Sequence, residues 1–170
     1  PIFKGGDPLS LDNFRIISII DNFSKIQEKI LYDGLFGFLD SKNLFFIRQF
    51  GFRPGHSTTH AITSLINQIT NALVSGKLAL GILLDIRKCF DLIDRDILFV
   101  KLENYGVRGP ILRWFKSYFS NRTQRVNVNG IFSTNFVLII LGVMQGSILG
   151  VLLFIIFIND IYLSCPSILS

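Results

Sequence analysis

The sequence predicts an α+β fold, in which helices pack against an antiparallel sheet. Apolar residues recur at helical spacing in several stretches, and alternating segments typical of strands flank the two-residue hairpin turn Asn129-Gly130. The order of these elements mixes helices with hairpin-connected strands and contains no internal repeat. With 170 residues, the chain is long enough for one domain with a substantial core.

The first half of the chain is predicted to hold one strand and two capped helices. A turn-rich approach leads to an apolar strand over residues 14–20. Asp21 or Asn22 can cap a helix that extends to about residue 39, and Ser57 can cap a second helix that ends at Gly76. The residues at helical spacing in these two helices are Ile26, Ile30, Leu35, Phe38 and Leu39, then Ala61, Ile62, Leu65, Ile66, Ile69 and Leu73.

The second half begins with an apolar run over residues 78–84, which predicts a buried strand that ends in the carboxylate of Asp85. Such a carboxylate would lie at the rim of a sheet, where a metal ion can match its charge. Asp94 can cap the helix that follows, and Pro110 suits the first turn of the next one. The remaining predicted helices and hairpin strands cover residues 97–105, 111–119, 123–129 and 134–141.

Residues 136–158 form an apolar run with only two polar side chains, those of Gln145 and Ser147. About twenty apolar residues can span a bilayer, so a membrane helix is the rival interpretation of this run. Gly142 and Gly146 make a poor helix centre, and no Lys or Arg anchors flank the run. We therefore expect a strand, a glycine-bounded loop and a buried helix.

The composition is both apolar and basic. Hydrophobic residues make up 49% of the chain, which suggests burial inside something larger or a membrane segment, and the net charge of +5 fits a polyanionic partner such as nucleic acid. Cys89 and Cys165 lack metal or framework spacing, which favours a reducing intracellular setting, cytoplasmic or nuclear. No secretory signal pattern opens the chain and both ends look cut, so we expect a fragment.

Residues 83–94 resemble the first catalytic motif of reverse transcriptases, most closely that of non-LTR (LINE-like) retrotransposons. Residues 141–154, centred on Gln145-Gly146, are similar to the motif of this family that is usually written G-V-P-Q-G-S. Each motif alone is modest, but the ordered set is specific and covers nearly the whole chain. The other matching segments are residues 4–7, 14–18, 23–29, 49–58, 105–106 and 114–122.

The resemblance implies a right-hand polymerase fold with fingers and an incomplete palm. Residues 1–80 would form the fingers and the helices between fingers and palm, and residues 81–170 would form part of the palm. The implied activity is RNA-templated DNA synthesis, in which a primer 3′-hydroxyl attacks a deoxynucleotide (dNTP) with two Mg²⁺ ions as cofactors. The implied partners are an RNA template, a DNA primer and dNTP, with no membrane.

The resemblance assigns five residues to the reaction centre. Asp85 would be the catalytic metal ligand, and the backbone carbonyl of Ile86 would be a second metal contact. Phe90 matches the aromatic steric gate that excludes a ribose 2′-hydroxyl. Gln145 would contact the incoming nucleotide, and Gly146 would let the backbone approach it closely. A solvated Asp, a core Phe and an amide satisfied within a loop are the plainer alternatives.

The resemblance also assigns cationic groups to phosphates. Lys4 and Arg15 would reach the triphosphate or the template backbone, and Arg53 is a weaker candidate for template contact. His56 and His60 stand four apart without a third ligand, so we predict that neither binds metal. A basic and aromatic stretch could contact nucleic-acid phosphates, but we favour its interpretation as the solvated face of an amphipathic helix. The stretch consists of Arg108, Arg113, Trp114, Lys116, Tyr118, Arg122 and Arg125.

Two departures from the family pattern leave alternatives open. Ile16, Met144 and Val151 stand where the family has proline, and the loss before Gln145 loosens the loop that would aim this side chain. The third metal motif of the family, an aromatic-Ala-Asp-Asp turn, is not reached, and one carboxylate cannot hold two metal ions. We therefore expect the chain to be inactive by itself. The alternative to an active polymerase is a degenerate relict that binds nucleic acid weakly. A single-span membrane protein is a less favoured alternative.

Overall fold

The fold of residues 1–164, which a computed structural model describes, combines five α-helices and two short 3₁₀-helices (Leu11–Asn13 and Ile161–Ser164) with three two-stranded antiparallel sheets. This mixture agrees with the predicted α+β class, and Cys165 lies outside the described residues. The helices are α1 (Asn22–Ser41), α2 (Thr58–Val74), α3 (Arg95–Asn104), α4 (Gly109–Phe119) and α5 (Ile148–Ile158). The strands are β1 (Ile2–Phe3), β2 (Phe14–Arg15), β3 (Thr123–Gln124), β4 (Asn127–Val128), β5 (Ile131–Phe132) and β6 (Val137–Leu138), which pair as β1–β2, β3–β6 and β4–β5.

The hydrophobic core forms around α5, which packs against α1 and α3. A helix that is apolar on all sides must be buried, and α5 satisfies this requirement with few exposed atoms. The fully buried side chains of the core are Leu39, Ile93, Leu98, Leu102, Phe115, Leu149, Leu152, Leu153, Ile155 and Ile156.

The apolar run of residues 136–158 folds as predicted from its glycines. It contains strand β6, a loop in which Gly142 and Gly146 have φ of +79° and +100°, and the buried helix α5. Within residues 1–164, every helix is too short or too polar to cross a bilayer.

The three predicted helix caps at Asp21, Ser57 and Asp94 are confirmed. The Asp21 carboxylate accepts a hydrogen bond from the Ser24 backbone amide at 2.9 Å. The Ser57 hydroxyl accepts one from the His60 amide, and the Asp94 carboxylate accepts two in the first turn of α3. These bonds satisfy amides that have no partner within the helix, which is why the helices begin where they do.

The predicted buried face of α1 is partly wrong. Ile26 and Ile30 are 59% and 67% exposed, whereas Glu28 is completely buried. The buried stripe runs from Glu28 through Leu35 to Leu39, which is also helical spacing but shifted around the helix axis. A glutamate can take a core position here because its carboxylate has hydrogen-bond donors within the protein.

The predicted buried strand over residues 78–84 is wrong. This segment has no regular secondary structure, and Leu78 and Leu83 are 98% and 97% exposed. A strand exists only through hydrogen bonds to a neighbouring strand, and within residues 1–164 no segment pairs with this one. Asp85 therefore lies on an exposed segment without regular secondary structure and not at the rim of a sheet.

The other strands are shorter than predicted. The hairpin turn at Asn129-Gly130 is confirmed, but the strand that follows it is Ile131–Phe132 and not the predicted residues 134–141. Only Phe14 and Arg15 of the predicted strand at residues 14–20 pair with a neighbour. Strands β4 and β5 flank Asn129 and Gly130, whose φ values of +50° and +84° are those of a type I′ turn.

The apolar face of α2 is solvent-exposed in the described part of the chain. No residue of this helix is buried, and Ile62, Leu65, Ile66 and Leu73 are among its exposed side chains. Helix α2 is therefore held by its own hydrogen bonds and not by core packing.

Candidate functional site

The segments that carry Phe90 and Gln145 are joined by backbone hydrogen bonds. The Gly142 amide donates to the Ile93 carbonyl at 2.7 Å, and the Val143 amide donates to the Phe90 carbonyl at 2.9 Å. The approach is so close that a Cβ at Gly142 would lie 2.7 Å from the carbonyl oxygen of Asp91. Only glycine permits this contact, and it also tolerates the positive φ found there.

The loop of residues 142–147, which we call the Gln145 turn, also contacts the segment that follows β2. The Gln145 carbonyl accepts a hydrogen bond from the Ser18 amide at 2.8 Å. A Cβ at Gly146 would lie 2.9 Å from the side chain of Ile17, so this position too is restricted to a small residue. Gln145 is half-buried and lines a cavity of about 120 Å³ together with Asp91 and Ser18.

The ring of Phe90 is half-buried between two other aromatic rings. It stacks on Phe154 of α5 with ring centroids 4.6 Å apart, and it meets Phe52 edge-on at 6.3 Å. Phe90 thus has the packing of a core phenylalanine while its backbone supports the Gln145 turn. The arrangement leaves its predicted role as a steric gate untested.

Three cations converge on Asp12, in the turn between β1 and β2. The guanidinium of Arg87 and the ammonium of Lys88 each lie 3.1 Å from its carboxylate. The Lys4 ammonium donates to its backbone carbonyl at 3.3 Å. The hydrogen bond from Lys88, followed by the charges of Lys88 and Arg87, lowers the pKa of Asp12. Lys4 is thereby brought close to the segment that carries Asp85.

The oxygen ligands at Asp85 and Ile86 are of the kind that Mg²⁺ prefers, but they are too few for a complete metal site. The Asp85 carboxylate and the Ile86 carbonyl are hard oxygen ligands on an exposed segment. Within residues 1–164, no three His, Cys, Asp or Glu side chains gather as a metal site would require. The described residues therefore do not fit two Mg²⁺ ions, and Asp85 as a ligand stays a prediction.

The remaining predicted site residues, Arg15 and Arg53, lie in different environments. Arg15 is exposed on β2, opposite Ile2. Arg53 is mostly covered: its guanidinium lies 3.3 Å from the Asp40 carboxylate and 4.9 Å from the centre of the Phe45 ring. These contacts give Arg53 a structural role at the end of α1, and its contact with a template stays a prediction.

Arg95 is a central residue that the sequence analysis missed. Its buried guanidinium donates to the backbone carbonyls of Phe119, Ile139, Leu141 and Gly142 at 2.6–3.2 Å. Burial, and to a lesser degree the nearby charge of Arg122, lowers the pKa of Arg95. Arg95 fixes the entrance to the Gln145 turn. In the sequence it follows a helix cap directly, where an exposed charge is the usual expectation.

Glu28 was also missed, because glutamate is almost never fully buried unless its carboxylate is paired. Its buried carboxylate accepts hydrogen bonds from the Tyr118 hydroxyl and, at 2.7 Å, from the Ile148 amide at the start of α5. The Tyr118 hydroxyl also lies 3.8 Å from the sulfur of Met144. Burial of the Tyr118 side chain raises its pKa, and the hydrogen bond to Glu28 and the charge of Glu28 raise it further. These contacts hold the exit of the Gln145 turn, as Arg95 holds its entrance.

Comparison with known proteins gives consistent similarities. The family model for reverse transcriptase (RNA-dependent DNA polymerase) matches residues 2–168. The chain is 32% identical over 167 residues to the Drosophila melanogaster protein named "Probable RNA-directed DNA polymerase from transposon BS", covering 98% of this chain and 18% of that protein. It is 29% identical over 162 residues to the RNA-directed DNA polymerase from mobile element jockey of the same species, covering 95% of this chain and 18% of that protein.

The chain thus spans less than a fifth of the length of these curated relatives. No solved structure matches it significantly.

Proposed function

The chain belongs to the reverse transcriptase (RNA-dependent DNA polymerase) family, and from this membership we propose that it forms part of an enzyme that copies RNA into DNA. Its relatives are named for this activity in mobile elements. We propose that residues 1–80 act as fingers with the adjoining helices and that residues 81–170 act as part of the palm. The reaction would transfer a nucleotide from dNTP to a primer 3′-hydroxyl on an RNA template.

The junction of three segments is the observation that carries this proposal. The Gln145 turn is hydrogen-bonded to the backbone at Phe90 and at Ser18, beside one small cavity. These segments are far apart in the sequence and carry the motifs of the family. Such convergence supports a common substrate, because a nucleotide must be contacted from several elements at once.

Within this junction, each residue has a distinct proposed task. Gln145 orients the incoming nucleotide through its amide, and Gly146 keeps the nearby backbone accessible. Phe90, held by its neighbouring rings, excludes nucleotides that carry a 2′-hydroxyl. Lys4 and Arg15 supply positive charge to the triphosphate or the template backbone.

We also propose Asp85, with the Ile86 carbonyl, as part of a Mg²⁺ site whose other ligands the described residues do not supply. When bound, Mg²⁺ supplies charge stabilisation to the attacking and leaving oxygens. With this ligand set, we expect the 170-residue chain by itself to extend no primer on an RNA template in the presence of Mg²⁺. Robust DNA synthesis by the purified chain would contradict this part of the proposal.

Nucleotide discrimination tests the proposed function. Equilibrium binding of dUTP and UTP, which differ only in the 2′-hydroxyl, to the chain with Mg²⁺ present is expected to favour dUTP. Phe90→Val is expected to bring the two affinities together, because the missing ring leaves room for the 2′-hydroxyl. Phe99→Val is the matched control, since it removes a half-buried ring from α3. Equal binding of dUTP and UTP by the unaltered chain would overturn the proposal.

A further inference from the structure

Glu28 is a fully buried acid on α1 to which the motifs of the reaction centre give no task. Within residues 1–164, every other acidic side chain is at least partly exposed. A carboxylate costs stability in a core unless it is hydrogen-bonded, and apolar side chains of similar volume often replace buried charged groups without loss of stability. What only the carboxylate provides at this position is a pair of directed acceptor oxygens.

The two oxygens of this carboxylate connect α1 to α4 and to the start of α5. One oxygen accepts a hydrogen bond from the Tyr118 hydroxyl, and the other accepts one from the Ile148 amide at 2.7 Å. Ile148 follows the Gln145 turn directly, and its amide is one of the first-turn amides that have no partner within the helix. Negative charge is also favourable at this end of a helix. Glu28 therefore fixes the point at which the turn passes into α5.

The second partner of the carboxylate, Tyr118, reaches the other side of Gln145. Its hydroxyl lies 3.8 Å from the sulfur of Met144, a buried residue that immediately precedes Gln145. The ring of Tyr118 is itself held by stacking on Trp114, with ring centroids 4.7 Å apart. The residues before and after Gln145 are thus attached to one pair of side chains, Glu28 and Tyr118.

The side chain of Gln145 depends on this support for its direction. Within residues 1–164 its side-chain amide makes no hydrogen bond, whereas its backbone carbonyl accepts one from the Ser18 amide. The preceding position holds Met144 and not a proline, which would restrict φ there. The direction of the side-chain amide is therefore set by the backbone on either side, which Glu28 and Tyr118 hold in place.

We propose that Glu28 is a positioning residue for nucleotide binding. Through the Ile148 amide and through Tyr118, it holds the backbone on both sides of Gln145, so that the side-chain amide is already aimed when a deoxynucleotide binds. Such preorganisation raises affinity, because less conformational freedom is lost on binding. The inference rests on the proposed function for the contact between Gln145 and the nucleotide. It adds a residue that touches no nucleotide and acts only through Gln145.

A double-mutant cycle of Glu28 and Gln145 tests this proposal. Equilibrium binding of dUTP, with Mg²⁺ present, is measured for the 170-residue chain, for Glu28→Ala, for Gln145→Ala and for the double variant. Gln145→Ala removes about one hydrogen bond to the nucleotide and is expected to weaken binding about three- to tenfold. Glu28→Ala is expected to weaken binding as well. The double variant is expected to bind no more weakly than Gln145→Ala, because Glu28 acts through Gln145.

Three further variants separate positioning from general stability. Glu28→Gln keeps an acceptor for the Ile148 amide and is expected to recover most of the affinity that Glu28→Ala loses. Tyr118→Phe removes one of the two donors at nearly constant volume, and we expect a smaller loss than for Glu28→Ala. Leu39→Ala removes a fully buried side chain near the C-terminal end of α1, so it is expected to destabilise the fold without changing the affinity for dUTP. Circular dichroism verifies folding at the binding temperature, and Tyr118→Phe replaces Glu28→Ala in the cycle if Glu28→Ala does not fold.

The results distinguish this inference from the proposed function. If the losses of Glu28→Ala and Gln145→Ala add in the double variant, or if Leu39→Ala weakens dUTP binding as much as Glu28→Ala does, the inference is overturned. In both cases the proposed contact of Gln145 stands, since Gln145→Ala alone still weakens binding. If Gln145→Ala binds dUTP as tightly as the unaltered chain, the proposed task of Gln145 is wrong and the inference fails with it.

Discussion

Replacing Glu28 by alanine is expected to destabilise the protein and loosen the Gln145 turn. The buried carboxylate accepts hydrogen bonds from the Tyr118 hydroxyl and from the Ile148 amide at the start of α5. Each donor left without a partner in the core costs about 1–3 kcal/mol, so the pair predicts a loss of roughly 2–6 kcal/mol, to which the cavity adds. This is a large part of the 5–15 kcal/mol that is typical of folded domains.

Glu28→Gln separates hydrogen bonding from packing. The amide oxygen can still accept from Ile148, and the amide nitrogen can donate to the oxygen of Tyr118. We therefore expect Glu28→Gln to cost only about 1 kcal/mol. Glu103→Ala, at an exposed position in α3, is the control and is expected to stay within about 0.5 kcal/mol of the unaltered chain.

Urea denaturation followed by circular dichroism gives the free energy of unfolding for each variant. Hydrogen exchange at the amide of Ile148 reports the local effect, and exchange there is expected to be faster in Glu28→Ala than in Glu28→Gln. If Glu28→Ala unfolds at the same urea concentration as Glu103→Ala, or if Glu28→Gln costs as much as Glu28→Ala, the hydrogen-bond reasoning is refuted.

Three further predictions concern the supports of the Gln145 turn. Arg95→Met leaves the carbonyl partners of Arg95 without their donor, and we expect it to lower the free energy of unfolding, measured by urea denaturation, by about 3–5 kcal/mol. Arg113→Met is the control and is expected to lower it by less than about 0.5 kcal/mol. Similar losses in the two variants would contradict the structural role of Arg95. Gly142→Ala is expected to lower the free energy of unfolding by at least about 2 kcal/mol more than Gly55→Ala does. Both glycines have positive φ, but of the two only Gly142 faces backbone atoms within 4 Å. Equal losses would exclude a clash at Gly142. Because the pKa of Tyr118 is raised above its usual 10.0, the folded state holds this proton more tightly than the unfolded state does. The free energy of unfolding should therefore fall above pH 10 by up to about 1.4 kcal/mol per pH unit, and this part of the slope should be absent in Tyr118→Phe.

The helix caps and the hairpin could be predicted because their determinants are local. The cap at Asp21 involves an amide three residues away, and the turn at Asn129-Gly130 needs only two residues that accept positive φ. The glycines of the apolar run likewise showed that it breaks before α5. Local hydrogen bonds and backbone preferences are encoded within a few neighbouring residues.

The burial of Glu28 and Arg95 could not be predicted, because their partners are distant in the sequence. Glu28 bonds an amide 120 residues away, and the carbonyls around Arg95 lie up to 47 residues away. The prediction of a strand at residues 78–84 failed for a related reason. Apolar residues indicate the tendency of a segment to form a strand, but a strand also needs a neighbouring strand to pair with. Of the predicted site, the junction between Phe90 and Gln145 depended on the family resemblance and not on periodicity.

Photo-cross-linking of a 4-thiothymidine triphosphate, with Mg²⁺ present, tests most directly whether this junction holds a nucleotide. Mass spectrometry of the digested protein locates the cross-link. We expect modified peptides from the segments around Phe90 and around Gln145, and we expect excess dTTP to suppress them. Cross-links confined to other parts of the chain, or insensitive to dTTP, would contradict the assignment of the nucleotide site.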